Sequence, residues 1–168
     1  MADFAKAFER MLLNEGGYRL TDIKGDKGGQ TYAGIARNRW PNWSGWRVID
    51  RGEKPSAESV RDFYSDNFWH PVWGSEIASQ RIAENLFDFA VNAGPGVSVK
   101  LAQIVVGATP DGKFGPKTLA GINSADEQGF VLAYALAKIA RYRDIVTKDR
   151  SQAKFLLGWI NRTLKEAA

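Results

Sequence analysis

Glu15 stands between an apolar helical segment and the run Gly16-Gly17-Tyr18, and eleven residues later Asp26 lies in a glycine-rich loop that also holds Asp22 and Thr31. A carboxyl at the edge of a core and a second one in a polar loop are the pair that glycosidic hydrolysis needs. One must be protonated to give its proton to the leaving oxygen, and the other ionised to hold a water or stabilise the sugar cation. Partial burial raises the pKa of the first, while a polar loop keeps the second ionised. A plainer reading fits the same residues: Glu15 ends a helix, and the Gly/Asp loop is an ordinary turn. Pattern alone leaves both open, because perturbed acids are enriched at active sites without being confined to them.

The elements that would position these groups are legible upstream. Phe4, Phe8, Met11 and Leu12 recur at the spacing of one buried helical stripe, with Asp3, Lys6, Glu9 and Arg10 left outside. At about 100° per residue, position 15 returns to within about 20° of Phe4, which sets its carboxylate over that stripe. Gly16-Gly17 then favours a left-handed exit from the helix, and Gly25, Gly28, Gly29 and Gly34 allow tight turns in the loop.

The runs Glu15-Gly16-Gly17-Tyr18 and Asp26-Lys27-Gly28-Gly29-Gln30-Thr31-Tyr32-Ala33-Gly34-Ile35 resemble the signature of the glycoside hydrolase family 108 lysozymes, N-acetylmuramidases of phage endolysins and bacterial secretion-activator proteins. The resemblance implies that Glu15 is the catalytic acid. The Glu, Asp, Thr order is also similar to phage-type lysozymes, although the interval from Glu15 to Asp26 is longer, so the second carboxylate is either Asp26 or Asp22. Asp26 is favoured because it matches the D-x-G-G-x-T pattern. Thr31 would help fix the attacking water, and Tyr18 and Tyr32 would wall the sugar cleft. If phage-type lysozymes are the guide, the product is inverted, which sets the carboxyl groups about 6.5–9.5 Å apart.

At 168 residues, with 44% apolar, 12% aromatic and 25% charged residues, the chain has the composition of a globular protein. It has no cysteine, so neither disulfides nor thiolate metal sites are expected. His70 is the sole histidine and reads as structural; a metal site is improbable, and no G-x-S-x-G elbow accompanies it. No apolar run approaches the roughly 20 residues of a membrane span, and the first residues do not read as an export signal. The net charge of +4 is uneven: from Lys138 onward there are eight Lys/Arg against three Asp/Glu, and before it fifteen against sixteen. A basic C-terminal helix suits weak contact with anionic membranes or simply a solvated face, and no groove-reading motif points to nucleic acid.

Further along, Ala33 to Trp40 is expected to form a short helix limited by Pro41, and Trp40, Trp43 and Trp46 either stack on sugar rings or fill a core. Ser56 is a helix cap, and Val60, Phe63, Tyr64, Asn67 and Phe68 carry helical spacing as far as Pro71. Residues 82–93 are apolar on nearly every side. Their polar members, Asp88 and Asn92, either face the glycan groove or tie the helix to a neighbour. Residues 97–106 form a helix with Lys100 and Gln103 on its wet side. The Asp111-Gly112-Lys113-Phe114-Gly115-Pro116-Lys117-Thr118 run reads as a turn leading into a helix. This run and Phe87 to Gly94 resemble the peptidoglycan-binding segment of the same lysozymes. A long helix begins at Asp126-Glu127, and a final one at about residues 151–164 buries Phe155, Leu156, Trp159, Ile160 and Leu164, leaving Lys154, Arg162 and Lys165 outside.

The expected fold is therefore mainly α, an α+β lysozyme-like helical bundle with a small irregular β-element in residues 18–35. Residues 1–80 would form a catalytic lobe and residues 81–168 a helical peptidoglycan-binding lobe, packed as one compact unit. The resemblance implies hydrolysis of the β-1,4 bond between N-acetylmuramic acid and N-acetylglucosamine without a cofactor, by a monomer acting on bacterial glycan strands. As a phage endolysin it would wait in the host cytoplasm until lysis. A lytic transglycosylase and a non-catalytic wall-binding module are the alternatives.

Overall fold

The computed structural model describes residues 1–14, 16–22 and 29–168, and the backbone alone of Asn14. Among these residues the chain forms eight α-helices and one small antiparallel sheet, a mainly α architecture. Helix α1 (Phe4–Asn14) leads into strands β1 (Leu20–Thr21), β2 (Thr31–Tyr32) and β3 (Ile35–Ala36), which lie in sheet order β1-β2-β3. Leu20 pairs with Tyr32 and Thr21 with Thr31; Thr31 pairs in turn with Ala36 and Tyr32 with Ile35. The β2-β3 hairpin turns through Ala33 and Gly34 at φ 49° and 79°, the two positive angles that a type I′ turn requires. The helix expected over Ala33 to Trp40 is thus replaced by a hairpin, because two consecutive left-handed residues cannot begin a right-handed helix. The next helix, α2 (Gly45–Ile49), starts only after Pro41.

Helix α3 (Ala57–Tyr64) is capped by Ser56, whose hydroxyl accepts from the Ser59 N–H at 3.1 Å. The helical path then loosens into a π turn (Ser65–Trp69) and tightens into a 3-10 turn (His70–Val72) containing Pro71. Helix α4 (Gln80–Ala93) is the central element, flanked by α1, by α5 (Pro95–Val105) and by α7 (Glu127–Lys148). Phe87 and Phe89, two residues apart, leave opposite sides of the helix. Phe87 meets Phe4 and Trp69 edge-on, with centroids 5.8 and 5.6 Å away, while Phe89 meets Tyr134 of α7 edge-on at 5.9 Å. One helix therefore joins the two halves of a single core.

Gln103 on α5 is buried, contrary to the expectation of a wet position. Its Nε2 donates to Asp111 Oδ1 at 2.9 Å, to the Lys113 carbonyl at 3.0 Å and to Thr118 Oγ1 at 3.3 Å, while its Oε1 accepts from the Gly112 N–H at 2.8 Å. An amide satisfied on both ends is what lets the Asp111-to-Thr118 turn lie against α5 before α6 (Pro116–Ser124) begins.

The last helix, α8 (Ala153–Ala167), packs on α7, and Trp159 stacks on Tyr142 at 5.1 Å. Its inward face differs from the expected one. Phe155 and Leu164 are 47% and 56% exposed, whereas Thr163 is buried and Arg162 and Glu166 are half-buried. The helix is rolled this way because its inner side meets charged partners. Lys138 of α7, 1% exposed, donates to Glu166 Oε2 at 2.5 Å and to Asn85 Oδ1 at 3.4 Å; Arg162 Nη2 meets Asp88 Oδ1 at 2.7 Å, and its Nε meets Glu166 Oε1 at 3.2 Å. Burial, then a hydrogen bond shared with Asp88, pushes the Glu166 carboxyl up to about 7. Burial likewise lowers Lys138, against the pull of Glu166. Burial also opposes charge on Asp88, yet the hydrogen bonds from Glu166 and Arg162 hold its carboxyl below the usual range.

Two outcomes follow. Gln103→Ala strips partners from a buried turn and should cost about 2 kcal/mol, lowering the melting temperature by roughly 4–8 °C in a chain of this size. Glu166 keeps its proton in the folded state between its ordinary 4.5 and about 7, while the unfolded chain releases it. Its contribution to stability is therefore present at low pH and lost as pH rises through that window. Melting curves of the native protein and Glu166→Gln from pH 4.5 to 8 should show the native protein losing more stability than the variant; parallel curves would contradict this assignment.

Candidate active site

Helix α1 is anchored by Ala7, Phe8 and Met11, all buried, with Phe4 and Leu12 packed against the same core. It is closed by two glycines. The Gly17 N–H donates to the Leu12 carbonyl at 2.9 Å and the Gly16 N–H to the Leu13 carbonyl at 3.3 Å, with φ of 74° and 83°. This pair of bonds is the Schellman closure, which the two glycines adopt without the strain a Cβ would bring. Glu15 and Asp26 lie outside the described residues; Asp22, the other candidate for the second carboxylate, is exposed just beyond β1.

From the closure the chain runs through Tyr18 into β1, so the sheet is held beside the end of α1. Tyr18, 44% exposed, and Tyr32, buried, come together with Gly16, Arg19 and Ile49 around a cavity of about 540 Å³. Burial, followed by the nearby Tyr18, raises the Tyr32 hydroxyl above its usual range. Thr31, adjacent on the strand, points to the other face of the sheet. It is half-buried, and its hydroxyl reaches the Gly29 carbonyl at 3.4 Å while its own carbonyl accepts from Thr21 Oγ1 at 3.4 Å.

Asp88 and Asn92 are placed elsewhere, on α4. Asn92 Nδ2 donates to the Asp88 carbonyl at 2.7 Å, and Asp88 binds α8 through Arg162. Of the two readings of Asp88, the tie between helices is realised, and Asp88 also opens on a second cavity of about 340 Å³. That cavity lies between α1, α4 and α8 and is lined by Ala7, Met11, Glu84, Asp88, Arg162 and Lys165, among others. Sequence reasoning missed Lys138 and Glu166, and it placed Arg162 outside where the structure turns it to Asp88 and Glu166. The signals existed: Lys138 continues the buried register of Val131, Tyr134, Ala135 and Tyr142, and Arg162 and Glu166 are a helical i,i+4 pair.

Trp46 is buried and donates from Nε1 to the Trp40 carbonyl at 2.8 Å, while Trp40 and Trp43 are half-buried against the core. His70 is exposed and lies 3.4 Å from Asp66. Among the described residues no three His, Cys, Asp or Glu side chains are grouped to hold a metal ion.

Residues 8–94 match the family described as Glycosyl hydrolase 108, and residues 97–164 match a Predicted Peptidoglycan domain. Among solved structures, SagA of Brucella abortus is similar: 27% identical over 98% of this chain and 91% of that one, with a TM-score of 0.73. No curated protein matches. The mainly α fold with its small sheet is accordingly lysozyme-like, and the peptidoglycan domain supplies the substrate class. This chain belongs to the glycosyl hydrolase 108 family and is a glycoside hydrolase acting on peptidoglycan.

Proposed function

We propose that the protein is an N-acetylmuramidase that cleaves the β-1,4 bond between N-acetylmuramic acid and N-acetylglucosamine, with Glu15 as general acid. Asp26 serves as the base or electrostatic partner, and Thr31 helps to fix the water. The observation that carries this reading is the cavity flanked by Ala7 and Met11 of α1 and by Asp88 and Arg162 of α4 and α8. Ala7 and Met11 are one helical turn apart, and the same spacing continues in sequence to Glu15. In sequence that spacing sets Glu15 on the apolar stripe, and an apolar neighbourhood disfavours the ionised carboxylate, as a group that must donate a proton to a bound glycan requires. In this reading Tyr18, Tyr32, Asp88 and Asn92 contact the strand. Residues 1–80 carry the chemistry, residues 81–168 hold the wall, and the biological outcome is phage-driven lysis of the host cell from within by a monomeric enzyme.

Mass spectrometry of products from purified peptidoglycan tests the chemistry. The native protein should yield reducing N-acetylmuramic acid ends, and Glu15→Gln should lose at least about 100-fold in rate, the scale of general acid catalysis. Anhydro ends would assign the enzyme to the transglycosylases, and undiminished cleavage by the variant would remove Glu15 from the role.

A weak contact with anionic lipid belongs to the same proposal. Leu157 and Leu164 are 70% and 56% exposed on α8, one heptad apart, near the exposed Lys154. No helix among the described residues is long and apolar enough to cross a membrane, so the contact would be a surface one. Because α8 supplies Glu166 and Arg162 to a buried cluster, point changes test this better than truncation. Lys154→Gln with Leu157→Ser should abolish binding to phosphatidylglycerol vesicles and leave cleavage of isolated wall unchanged; vesicle binding equal to that of the native protein would refute the contact.

A further inference from the structure

A third cavity, of about 540 Å³, is lined by Trp40 and Trp43 and shares no lining residue with the one that Tyr18 and Tyr32 border. Tyr32, which borders the one, and Trp43, which borders the other, stack at 6.0 Å with their planes 23° apart. The walls of the third cavity are Trp40 and Trp43, and its rim carries Arg39, Asn42, Asp62 and Asn67. Both indoles are fixed from beneath. Trp40 meets Phe63 and Phe68 edge-on at 5.0 and 5.8 Å. Trp43 meets Trp46 edge-on at 5.3 Å, and its Nε1 donates to the Ser59 carbonyl at 3.4 Å. Aromatic rings held this way present a rigid apolar surface at little further entropic cost. Their partial exposure is a standing loss of hydrophobic stabilisation unless something covers them.

The rim decides what would cover them. Among the described residues the side chains of Arg39, Asn42 and Asp62 make no hydrogen bond or ion pair, so their donors and acceptors are available to a ligand. Asn67 uses its Nδ2 on the Phe63 carbonyl at 2.7 Å and keeps its side-chain oxygen as an acceptor. Carboxylates at Asp62 and Asp66 disfavour a phosphate-rich ligand, against which the single guanidinium of Arg39 is too little. Hydroxyls that need acceptors, an amide that needs a donor and an acceptor, and an apolar ring face to lie on indole are together the chemistry of an N-acetylated hexosamine.

We infer that the Trp40–Trp43 cavity is a second glycan-binding site, outside the catalytic cleft, that takes N-acetylhexosamine units of a neighbouring stretch of peptidoglycan. This rests on the reading of the chain as a glycan-cleaving enzyme, but it makes a separate claim about a surface that does no chemistry. Binding there keeps the enzyme on an insoluble polymer between cleavage events by raising the effective local concentration of strand.

The test is titration of the full-length Glu15→Gln protein with a β-1,4-linked N-acetylglucosamine pentamer, followed by the indole N–H resonances. The Trp40 and Trp43 signals should move saturably. Asn42→Ala with Asp62→Ala, both exposed positions that leave the aromatic packing intact, should weaken that saturation roughly ten-fold, the loss of one charge-assisted hydrogen bond. The same pair in the native background should reduce retention on insoluble wall while cleavage of short soluble fragments is unchanged. Stationary Trp40 and Trp43 signals, or an unaltered titration in the double variant, would overturn the inference. Because the readout is binding, full activity of Glu15→Gln would refute the assigned acid without touching this site, and silent indoles would refute this site without touching the acid.

Discussion

Four charged side chains between α4, α7 and α8 set the terms for the rest of the molecule. Lys138 is almost wholly buried, Asp88 is buried and Glu166 is half-buried. None could be left there alone, since an unpaired charge in an apolar interior costs several kcal/mol. Arg162 reaches both carboxylates and Lys138 reaches Glu166, so each charge removes the penalty of another. With two cations against two carboxylates the set is neutral when all four are ionised, and it requires no further counter-ion. This arrangement determines which face α8 turns inward, and it thereby leaves Phe155, Leu157 and Leu164 at the surface. It also shapes one wall of the cavity beside Ala7 and Met11, so the docking of the last helix and the form of the candidate cleft have one physical origin.

Most of the helical framework can be read from local signals. Ser56 and Asp126 cap as their side chains allow, Gly16-Gly17 closes α1 with the expected left-handed pair, and the apolar residues of α4 are buried on both sides. What local pattern missed depends on contacts distant in sequence. Gln103 looks like a surface amide until the Asp111 turn supplies four partners for it, and Lys138 looks like a solvent-facing cation until Glu166, 28 residues away, lies against it. The hairpin at Ala33-Gly34 failed for a different reason. Alanine is a good helix former, and nothing in its own chemistry announces φ of 49°. That angle is held from outside, by pairing of Tyr32 with Ile35 and by the Tyr64 hydroxyl, which donates to the Ala33 carbonyl at 2.8 Å.

At the candidate site the closure of α1 was legible because an apolar stripe and a glycine pair mark it in one short stretch, which lies within the family match to residues 8–94. The separation of Tyr18 and Tyr32 from Asp88 and Asn92 was not legible. The first pair belongs to the sheet and its approach, the second to a helix some sixty residues later, and only the packing of α1 against α4 decides what lies between them. Asp88 illustrates the point. A helix tie and a cavity wall seemed exclusive in sequence, yet one carboxylate can bind Arg162 and still border open space.

Strands of two residues cannot hold a sheet together by their own hydrogen bonds, since even a full hairpin is marginal in water. The sheet that carries Thr31 and Tyr32 must therefore take its rigidity from its surroundings. Two supports provide it: the Tyr64 hydroxyl on the hairpin turn, and the stack of Tyr32 on Trp43, itself wedged among Trp46 and Phe63. Tyr64 and Phe63 project from α3, while Phe68 of the π turn closes on Trp40, so the loosening of the helix after Tyr64 turns successive aromatics toward the sheet. A residue placed on β2 is then held by these contacts although its own strand contributes little. The aromatic cluster thus backs the sheet through Tyr32 and the hairpin turn, and the half-exposed faces of Trp40 and Trp43 are what remains visible of it at the surface.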